Sequence, residues 1–301
     1  KKNKTGKTRR ILSGTLWLLL YIILAAGPLL LTAAVTRDLP QRSFWRELSV
    51  ALGFIGISLM ALQFVITARI HQLKEPFGSD IVYQFHRQIS IAAFLFIIAH
   101  PLIIFIESPG ALRLLNIFTA PWRARMAVAS TIALIAIVVT SLWRLKLRIE
   151  YDRWRIIHGL LAMITVSAGF VHIFLAGIYT DVPVLRAVWM VYALVWIGLL
   201  AYTRVIKPWY EIRHPYKITR VIPELGDAWT IVLKPDGHRG MRFKPGQFTW
   251  LSVRDTPFKK KEHPFSFSSS AENTDTLDLT IKDLGDFSST VHSLKPGETA
   301  Y

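Results

Sequence analysis

Four histidines lie at matched positions in two apolar segments of this sequence: His86 and His100 in one segment, His158 and His172 in the other. The two histidines of each segment are fourteen residues apart. On an α-helix, fourteen residues come close to four full turns, so the two imidazoles share one face about 21 Å apart. The repeated spacing predicts two helices that each present imidazoles at two matching levels.

If both helices run in the same direction, we expect His86 opposite His158 and His100 opposite His172. Polar groups inside a membrane are costly unless they are satisfied. Single membrane histidines often pair with each other or with backbone carbonyls. Two matched pairs favour haem, because both imidazoles of a pair would then be axial ligands of one iron. Zinc fits less well, since it usually takes four ligands close together and these four lie at two levels.

An iron with two axial histidines has no open position for oxygen or a substrate, so such a haem relays electrons. The sequence contains no cysteine, which excludes iron–sulfur clusters, disulfides and covalently attached haem. We therefore expect two haem b groups, held without covalent bonds. Arg87 and Arg155 are candidate partners of the haem propionates. Snorkelling of these arginines to the lipid headgroups is the alternative.

The elements that carry these histidines are apolar runs. Of the 301 residues 52% are hydrophobic, and they occur in runs of roughly 20, long enough to cross about 30 Å of hydrocarbon. The sequence predicts a membrane bundle of six helices, with candidate spans at about 11–35, 48–68, 81–106, 126–143, 156–178 and 186–206. The net charge of +16 comes from basic residues beside these runs rather than along one face, which argues against nucleic acid as a partner and for membrane lipid.

Orientation follows from the positions of lysine and arginine. They are frequent in the N-terminal tail, between spans four and five, and after span six. With six spans these three regions lie on one side, which the positive-inside rule assigns to the cytoplasm. We expect an integral protein of the plasma (inner) membrane whose N-terminus and C-terminal region are cytoplasmic. Basic residues in other loops are exceptions to this pattern: Arg37, Arg42, Arg46, Arg113, Arg123 and Arg125.

From about Pro208 the pattern changes to short β-rich runs separated by turns such as Lys244-Pro245-Gly246. These runs predict an antiparallel β domain, a small barrel. They are Lys217–Ile222, Thr230–Leu233, Phe248–Arg254, Pro264–Ser268 and Leu277–Ile281. The expected domains are therefore a six-span helical domain over 1–207 and a β-barrel domain over 208–301.

Two motifs make a resemblance specific. The β domain contains His263-Pro264-Phe265-Ser266-Phe267-Ser268-Ser269, preceded by Pro245-Gly246-Gln247-Phe248. The fifth span opens with Tyr151-Asp152-Arg153-Trp154-Arg155-Ile156-Ile157-His158. Together with the paired histidines, these motifs resemble the ferric reductase and NADPH oxidase superfamily, whose flavin domain is similar to that of ferredoxin–NADP reductases.

The resemblance implies an FAD site in the β domain. The strand beginning at His263 would lie along the isoalloxazine ring and ribityl chain, where backbone groups and hydroxyls can bond the flavin. The segment from Lys282 to Ser289 resembles the family's turn at a helix start, whose free amides would hold the pyrophosphate, with Ser288 as helix cap and phosphate ligand. The FAD-binding residues implied are His263, Pro264, Phe265, Ser266, Ser269, Lys282, Gly285, Phe287 and Ser288.

The resemblance also implies the reaction. Electrons would pass from NAD(P)H through FAD and two haems to an acceptor outside, either oxygen, giving superoxide, or ferric iron. The flavin is needed because a nicotinamide gives two electrons and a haem takes one. The family's NAD(P)H-binding domain would begin beyond Tyr301, so the β domain is expected to be truncated before it, unless a separate reductase delivers electrons to the flavin.

The acceptor stays open at this stage. Eukaryotic superoxide-producing members carry a histidine four residues after the outer ligand of the third span, where this chain has Ile104, and an arginine in span two, whose middle has no basic residue here. Oxygen, ferric iron and a quinone all remain candidates. Two other classes of membrane protein are alternatives. A haem-containing membrane subunit that supplies a separate periplasmic reductase would not explain the flavin motif, and an ion transporter would need no haem.

Overall fold

The computed structural model describes residues 2–37, 42–70, 77–272 and 275–301. The α-helices in these ranges are α1 (Lys2–Val35), α2 (Phe44–Thr67), α3 (Gly78–Glu107), α4 (Trp122–Leu142), α5 (Tyr151–Ala176), α6 (Pro183–Ala201) and α7 (Lys207–Arg213). A short π-helix, Tyr202–Ile206, joins α6 to α7. Contacts between backbones divide the chain into two compact units, which meet in sequence between Leu199 and Leu200.

Within the described ranges, six helices are long and apolar enough to cross a membrane. Five are α1 to α5, of which α1 counts from Ile11, and the sixth is the continuous segment Pro183–Arg213. The exposed side chains of these helices include many leucines, isoleucines and valines, as expected for helices that face lipid. The prediction of a six-helix membrane part is confirmed, and the protein is an integral membrane protein.

The helices of the first unit pack mainly as neighbouring pairs. The backbone of α2 lies along α3, that of α4 lies along α5, and α2 also touches α5. The described residues show no comparable backbone packing between α3 and α5. These last two helices, which carry the four histidines, therefore face each other mainly through side chains.

Small residues allow α2 to approach α3 closely. A Cβ at Gly56 would lie 2.6 Å from Ile97 Cγ1, and one at Gly53 would lie 3.2 Å from His100 Nδ1. Both distances are shorter than the separation of about 3.5 to 4.0 Å at which carbon atoms make good contact. Glycine at these positions therefore lets α2 reach the histidine-bearing helix.

The ends of α2 and α5 follow from local sequence. Ser43 precedes α2 and its hydroxyl oxygen accepts a hydrogen bond from the Arg46 N–H at 3.1 Å, which satisfies one free amide of the first turn. Glu47 adds an acidic side chain there, favourable beside the positive end of the helix dipole. Helix α5 ends before Gly177, whose φ of 80° is accessible to glycine without a steric penalty.

The described residues of the second unit form six short strands: β1 (Tyr216–Glu224), β2 (Ala228–Pro235), β3 (Phe248–Leu251), β4 (His263–Ser266), β5 (Leu277–Lys282) and β6 (Thr299–Ala300). Four of them form a sheet in the order β5-β2-β1-β6, and β3 pairs with β4. All pairings are antiparallel. The prediction of an antiparallel β domain is confirmed, in the form of a half-barrel.

Alternating apolar side chains form the core of this half-barrel. Ile218, Ile231, Leu279 and Ile281 are almost fully buried, and Phe265 and Phe287 pack against the cluster from its edge. This alternation is what a strand with one face on a core requires. It leaves the intervening residues of β4 on the surface.

Candidate cofactor sites

The four histidines come together in two pairs. The ring centres of His86 and His158 are 6.4 Å apart with their planes at 65°, and those of His100 and His172 are 6.3 Å apart at 62°. These are the pairs that the repeated spacing predicted. All four side chains are half-buried.

Both separations fit one metal atom between two imidazoles. A metal–imidazole bond is about 2.0 Å long and the ring centre lies about 1.2 Å behind the nitrogen, so ligands on opposite sides of one metal have ring centres about 6.4 Å apart. Two imidazoles joined by a direct hydrogen bond would have their ring centres closer together than two ligands of one metal. In the part of the chain that the structure describes, no group of three or more histidine, aspartate or glutamate side chains comes together. Two separate pairs of ligands fit haem iron better than zinc.

The Nδ1 atoms of the two histidines on α3 make hydrogen bonds to oxygens on α2. Nδ1 of His86 lies 2.6 Å from Gln63 Oε1, and Nδ1 of His100 lies 2.8 Å from the Ser49 carbonyl oxygen. Amide and carbonyl oxygens only accept hydrogen bonds, so both Nδ1 atoms carry the proton. Ser49 also donates its hydroxyl to the His100 carbonyl at 2.8 Å. With the proton on Nδ1, the Nε2 atoms of His86 and His100 keep a lone pair that can bind a metal.

The histidines of α5 are bonded in the same way from the α4 side. Nδ1 of His172 lies 2.8 Å from the Arg123 carbonyl oxygen, and Nδ1 of His158 lies 3.3 Å from the Ser141 hydroxyl. Within the described residues, Nε2 of all four histidines makes no hydrogen bond. A histidine that ligates a metal usually donates its other N–H to an oxygen, which fixes the ring and raises its basicity. Three of the four imidazoles have this arrangement, while the Ser141 hydroxyl can either accept from or donate to His158 Nδ1.

The expected partners of the propionates are placed differently from each other. Arg87 is exposed on α3, and the structure brings no described side chain into a hydrogen bond or ion pair with it. Arg155 is half-buried, with its guanidinium 5.9 Å from the Tyr151 ring centre. The Trp154 ring lies 5.1 Å from His158. The first turn of α5 therefore places aromatic rings and Arg155 beside the His86–His158 pair.

In the half-barrel, β4 contains the His-Pro-Phe-Ser motif. His263 and Phe265 are half-buried, whereas Pro264 and Ser266 are exposed. The His263 ring stacks on Phe287 with centres 4.1 Å apart and planes at 14°. The strand thus presents Pro264 and the Ser266 hydroxyl on its open face.

Ser269 and Lys282 lie at the two ends of strand β5. The Ser269 hydroxyl oxygen accepts a hydrogen bond from the Asp278 N–H at 3.0 Å, so this serine helps to hold the end of the β4 segment against β5. Lys282 is the exposed last residue of β5 and pairs in register with Ala228. Phe287 links this region to β4 through its contact with His263.

The expectation for the Gly285–Ser288 turn was wrong in one respect. The residues from Ser288 to Ser293 form a short 3-10 helix, and Phe287 occupies its N-cap position. Ser288 does not cap it: its hydroxyl accepts from the Leu284 N–H at 2.9 Å and donates to the Gly285 carbonyl at 3.0 Å. The hydroxyl closes the turn itself instead of capping the helix. No described atom lies within 4 Å of a Cβ placed on Gly285.

Charged groups surround the loop that leads into β4. Burial lowers the pKa of Lys260, against the opposing effects of Glu262 and Glu211. A hydrogen bond from the Lys259 ammonium, at 2.7 Å, holds the pKa of Asp255 below its usual range. The Asp255 carboxylate therefore stays ionised near neutral pH and holds Lys259 by an ion pair in the loop that leads to β4.

The sequence interpretation missed the residues that orient the histidines. Gln63 and Ser49 are themselves fourteen residues apart, the same spacing as in the histidine pairs, and α2 runs antiparallel to α3 in the contacts above. This repeated spacing of polar residues in an apolar helix was a usable signal. The Arg123 carbonyl has no such signal, because a backbone oxygen carries no information in its residue type.

Two family models match this chain. The model described as ferric reductase like transmembrane component matches residues 52–169, and the one described as FAD-binding domain matches residues 230–295. A solved flavohemoglobin from Malassezia yamatoensis, with bound FAD and heme, is 15% identical with a TM-score of 0.30, and the match covers 86% of this chain and 62% of that chain. The chain thus spans less than two thirds of that protein. Among curated proteins, none matches it.

Six spanning helices followed by an antiparallel half-barrel with an FAD-binding match define an integral membrane protein with an FAD-binding domain. The order of the two matched regions, a ferric reductase-like transmembrane component and then an FAD-binding domain, is the architecture of one superfamily. This order of domains is that of the ferric reductase and NADPH oxidase superfamily.

Proposed function

We propose that this protein transfers electrons from NAD(P)H across the membrane to an acceptor on the far side, oxygen or ferric iron. Residues 1–207 form the membrane domain with two haem b groups, and residues 208–301 form an FAD domain. A nicotinamide-binding domain or a separate reductase supplies electrons to this FAD domain. In this arrangement the N-terminus and the FAD domain are cytoplasmic, in the inner membrane.

The observation that carries the proposal is the state of the four imidazoles. Each pair has the separation that one iron requires. Each Nδ1 has an oxygen partner, and the carbonyl and amide partners require Nδ1–H on three of them. His86 and His158 would ligate one haem and His100 and His172 the other. With both axial positions filled by protein, neither iron would bind a substrate directly.

The cofactors supply the redox chemistry when bound: FAD takes two electrons from a nicotinamide and each haem carries one at a time. The chain's own residues position them. On β4, the exposed Ser266 hydroxyl is available to a flavin. His263, Pro264 and Phe265 shape the same strand, and Phe287 fixes the His263 ring.

The Gly285 turn fits a close approach by a phosphate. The space around Gly285 is open, and Lys282 is an exposed cation three residues before it. Ser288 keeps the turn closed through two hydrogen bonds. In this proposal Lys282 and the backbone at Gly285 face the pyrophosphate, while Ser269 and Ser288 hold the segments on either side of it.

The test of haem binding is the absorption spectrum of the purified protein with matched histidine variants. We expect a reducible b-type spectrum with two haems per chain, falling to one in His100→Ala and in His158→Ala. His214→Ala is the control and should keep both haems, because His214 lies in the second unit with its Nδ1 on the Tyr210 carbonyl. A protein without a reducible haem spectrum would refute the proposal.

FAD binding is tested separately by quenching of flavin fluorescence. Ser266→Ala combined with His263→Ala should weaken FAD binding, whereas Ser270→Ala, on an exposed serine beyond the motif, should not. Unchanged affinity in the double variant would remove the flavin assignment. With a nicotinamide-binding domain attached, parallel assays of superoxide and ferrous iron identify the acceptor.

A further inference from the structure

One polar side chain in the core of the helical unit has a role beyond packing. Gln63 on α2 is 5% exposed. Its Oε1 lies 2.6 Å from His86 Nδ1. Its Nε2 is buried, and no described residue makes a hydrogen bond with it.

A buried amide with an unpaired N–H₂ group is destabilising, because the group loses its hydrogen bonds to water and gains none. An apolar residue of the same size would avoid that cost. The role of Gln63 therefore lies in its side-chain oxygen, Oε1, which accepts a hydrogen bond from His86 Nδ1.

The two histidine pairs differ in the kind of oxygen that holds them. The Nδ1 atoms of His100 and His172 face backbone carbonyls, which no substitution removes. The Ser49 hydroxyl also lies 3.0 Å from His100 Nδ1, but the Ser49 carbonyl stays in place without it. The Nδ1 atoms of His86 and His158 face side chains, Gln63 and Ser141, and the contact to Ser141 is long at 3.3 Å. The orientation of the His86–His158 pair thus depends mainly on Gln63.

We propose that Gln63 is a positioning residue that fixes the tautomer and ring plane of His86, and thereby sets the reduction potential of the haem at His86 and His158 independently of the other haem. The inference rests on the proposed function. An oxygen that accepts the Nδ1 proton makes the imidazole a stronger electron donor. A stronger donor favours the ferric state and lowers the potential.

The experiment is a redox titration of the purified haem-loaded protein, with electron paramagnetic resonance of its ferric form. Gln63→Leu removes the acceptor with little change in volume and is expected to raise the midpoint potential of one component and leave the other unchanged. Gln63→Glu keeps an acceptor oxygen and should not raise that potential. The ferric spectrum, which depends on the angle between the two imidazole planes, should change for the same haem only.

Two backgrounds assign the shift to a site. In His100→Ala, which should keep the haem at His86 and His158, Gln63→Leu should shift the single remaining component. In His86→Ala it should shift nothing. Ser58→Ala is the matched control, since Ser58 is a buried residue of α2 whose hydroxyl is unpaired among the described residues, and it should leave both potentials unchanged.

The outcomes separate the two proposals. If the wild-type protein holds no haem, the proposed function fails. If both haems are present and assigned, but Gln63→Leu moves neither potential or moves both equally, the role of Gln63 is refuted and the function stands. Loss of one haem in Gln63→Leu, with its retention in Gln63→Glu, supports the positioning role.

Discussion

The close approach of α2 to α3 depends on Gly56, and Gly56→Ala tests whether that approach positions the histidines. A Cβ at this position would lie 2.6 Å from Ile97 Cγ1, 3.4 Å from the Ile97 nitrogen and 3.5 Å from the Ala93 oxygen. Only Ile97 Cγ1 is closer than a normal contact, and rotation does not easily clear the space because a β-branched side chain in a helix strongly prefers one χ1 rotamer. Carbon contacts are normally about 3.5 to 4.0 Å, so the two helices have to separate by about 1 Å here.

The magnitude follows from two opposing effects. Overpacking of a well-packed core costs about 1 to 3 kcal/mol, and replacing a helical glycine by alanine returns about 1 kcal/mol. We expect the free energy of unfolding to fall by up to about 2 kcal/mol. A separation of about 1 Å would also stretch the contact between Gln63 and His86 past about 3.2 Å, the usual limit for such a hydrogen bond. Haem binding should therefore weaken together with stability.

The assay is unfolding in detergent followed by tryptophan fluorescence, with haem absorbance recorded on the same samples. Gly198→Ala is the control, because no described atom lies within 4 Å of a Cβ at that α6 position. It should raise stability by up to about 1 kcal/mol. Adding Ile97→Ala to Gly56→Ala removes the clashing Cγ1 and should restore the haem spectrum. Equal behaviour of the Gly56 and Gly198 variants would contradict the packing explanation.

Three further predictions concern groups outside the membrane spans. Burial and the hydrogen bonds to Glu47 raise the pKa of Tyr179 to about 12, so the stability that Tyr179 contributes is complete below its ordinary pKa of about 10 and is lost as the pH rises through 12. Tyr179→Phe should lower the free energy of unfolding by about 1 to 2 kcal/mol at pH 8. An unchanged free energy of unfolding would contradict this role of Tyr179. The pKa of Asp255 is lowered, so Asp255→Asn should remove a loss of stability seen in acid titration as the pH falls below about 4. Phe287→Ala should weaken FAD binding in fluorescence titrations by releasing the His263 ring, whereas Phe287→Tyr should not.

Hydropathy located the spans but shortened several helices at their N-terminal ends. The fifth span was predicted from residue 156, whereas α5 begins at Tyr151. The intervening residues, Asp152, Arg153, Trp154 and Arg155, form a helical turn of mixed polarity. Hydropathy detects the apolar interior of a membrane helix, while the helix itself continues as far as its backbone hydrogen bonds do.

The short strands show the same limit in another form. The runs that became β1 to β5 were all recognised, because each is rich in β-branched, aromatic or other apolar residues and is bounded by turn signals. Strand β6, Thr299–Ala300, was not. Two residues carry no periodic pattern, and they form a strand only because β1 offers them hydrogen-bonding partners.

The sequence by itself determined that the chain has six spans and that His86, His100, His158 and His172 lie at two matching levels, because helical periodicity converts residue spacing directly into position. Tertiary structure alone decided which nitrogen of His86, His100 and His172 is free. That choice comes from oxygens on α2 and α4, such as Gln63 Oε1 and the Arg123 carbonyl. Their distance from the histidines depends on helix packing, which residue type and spacing within one helix do not specify.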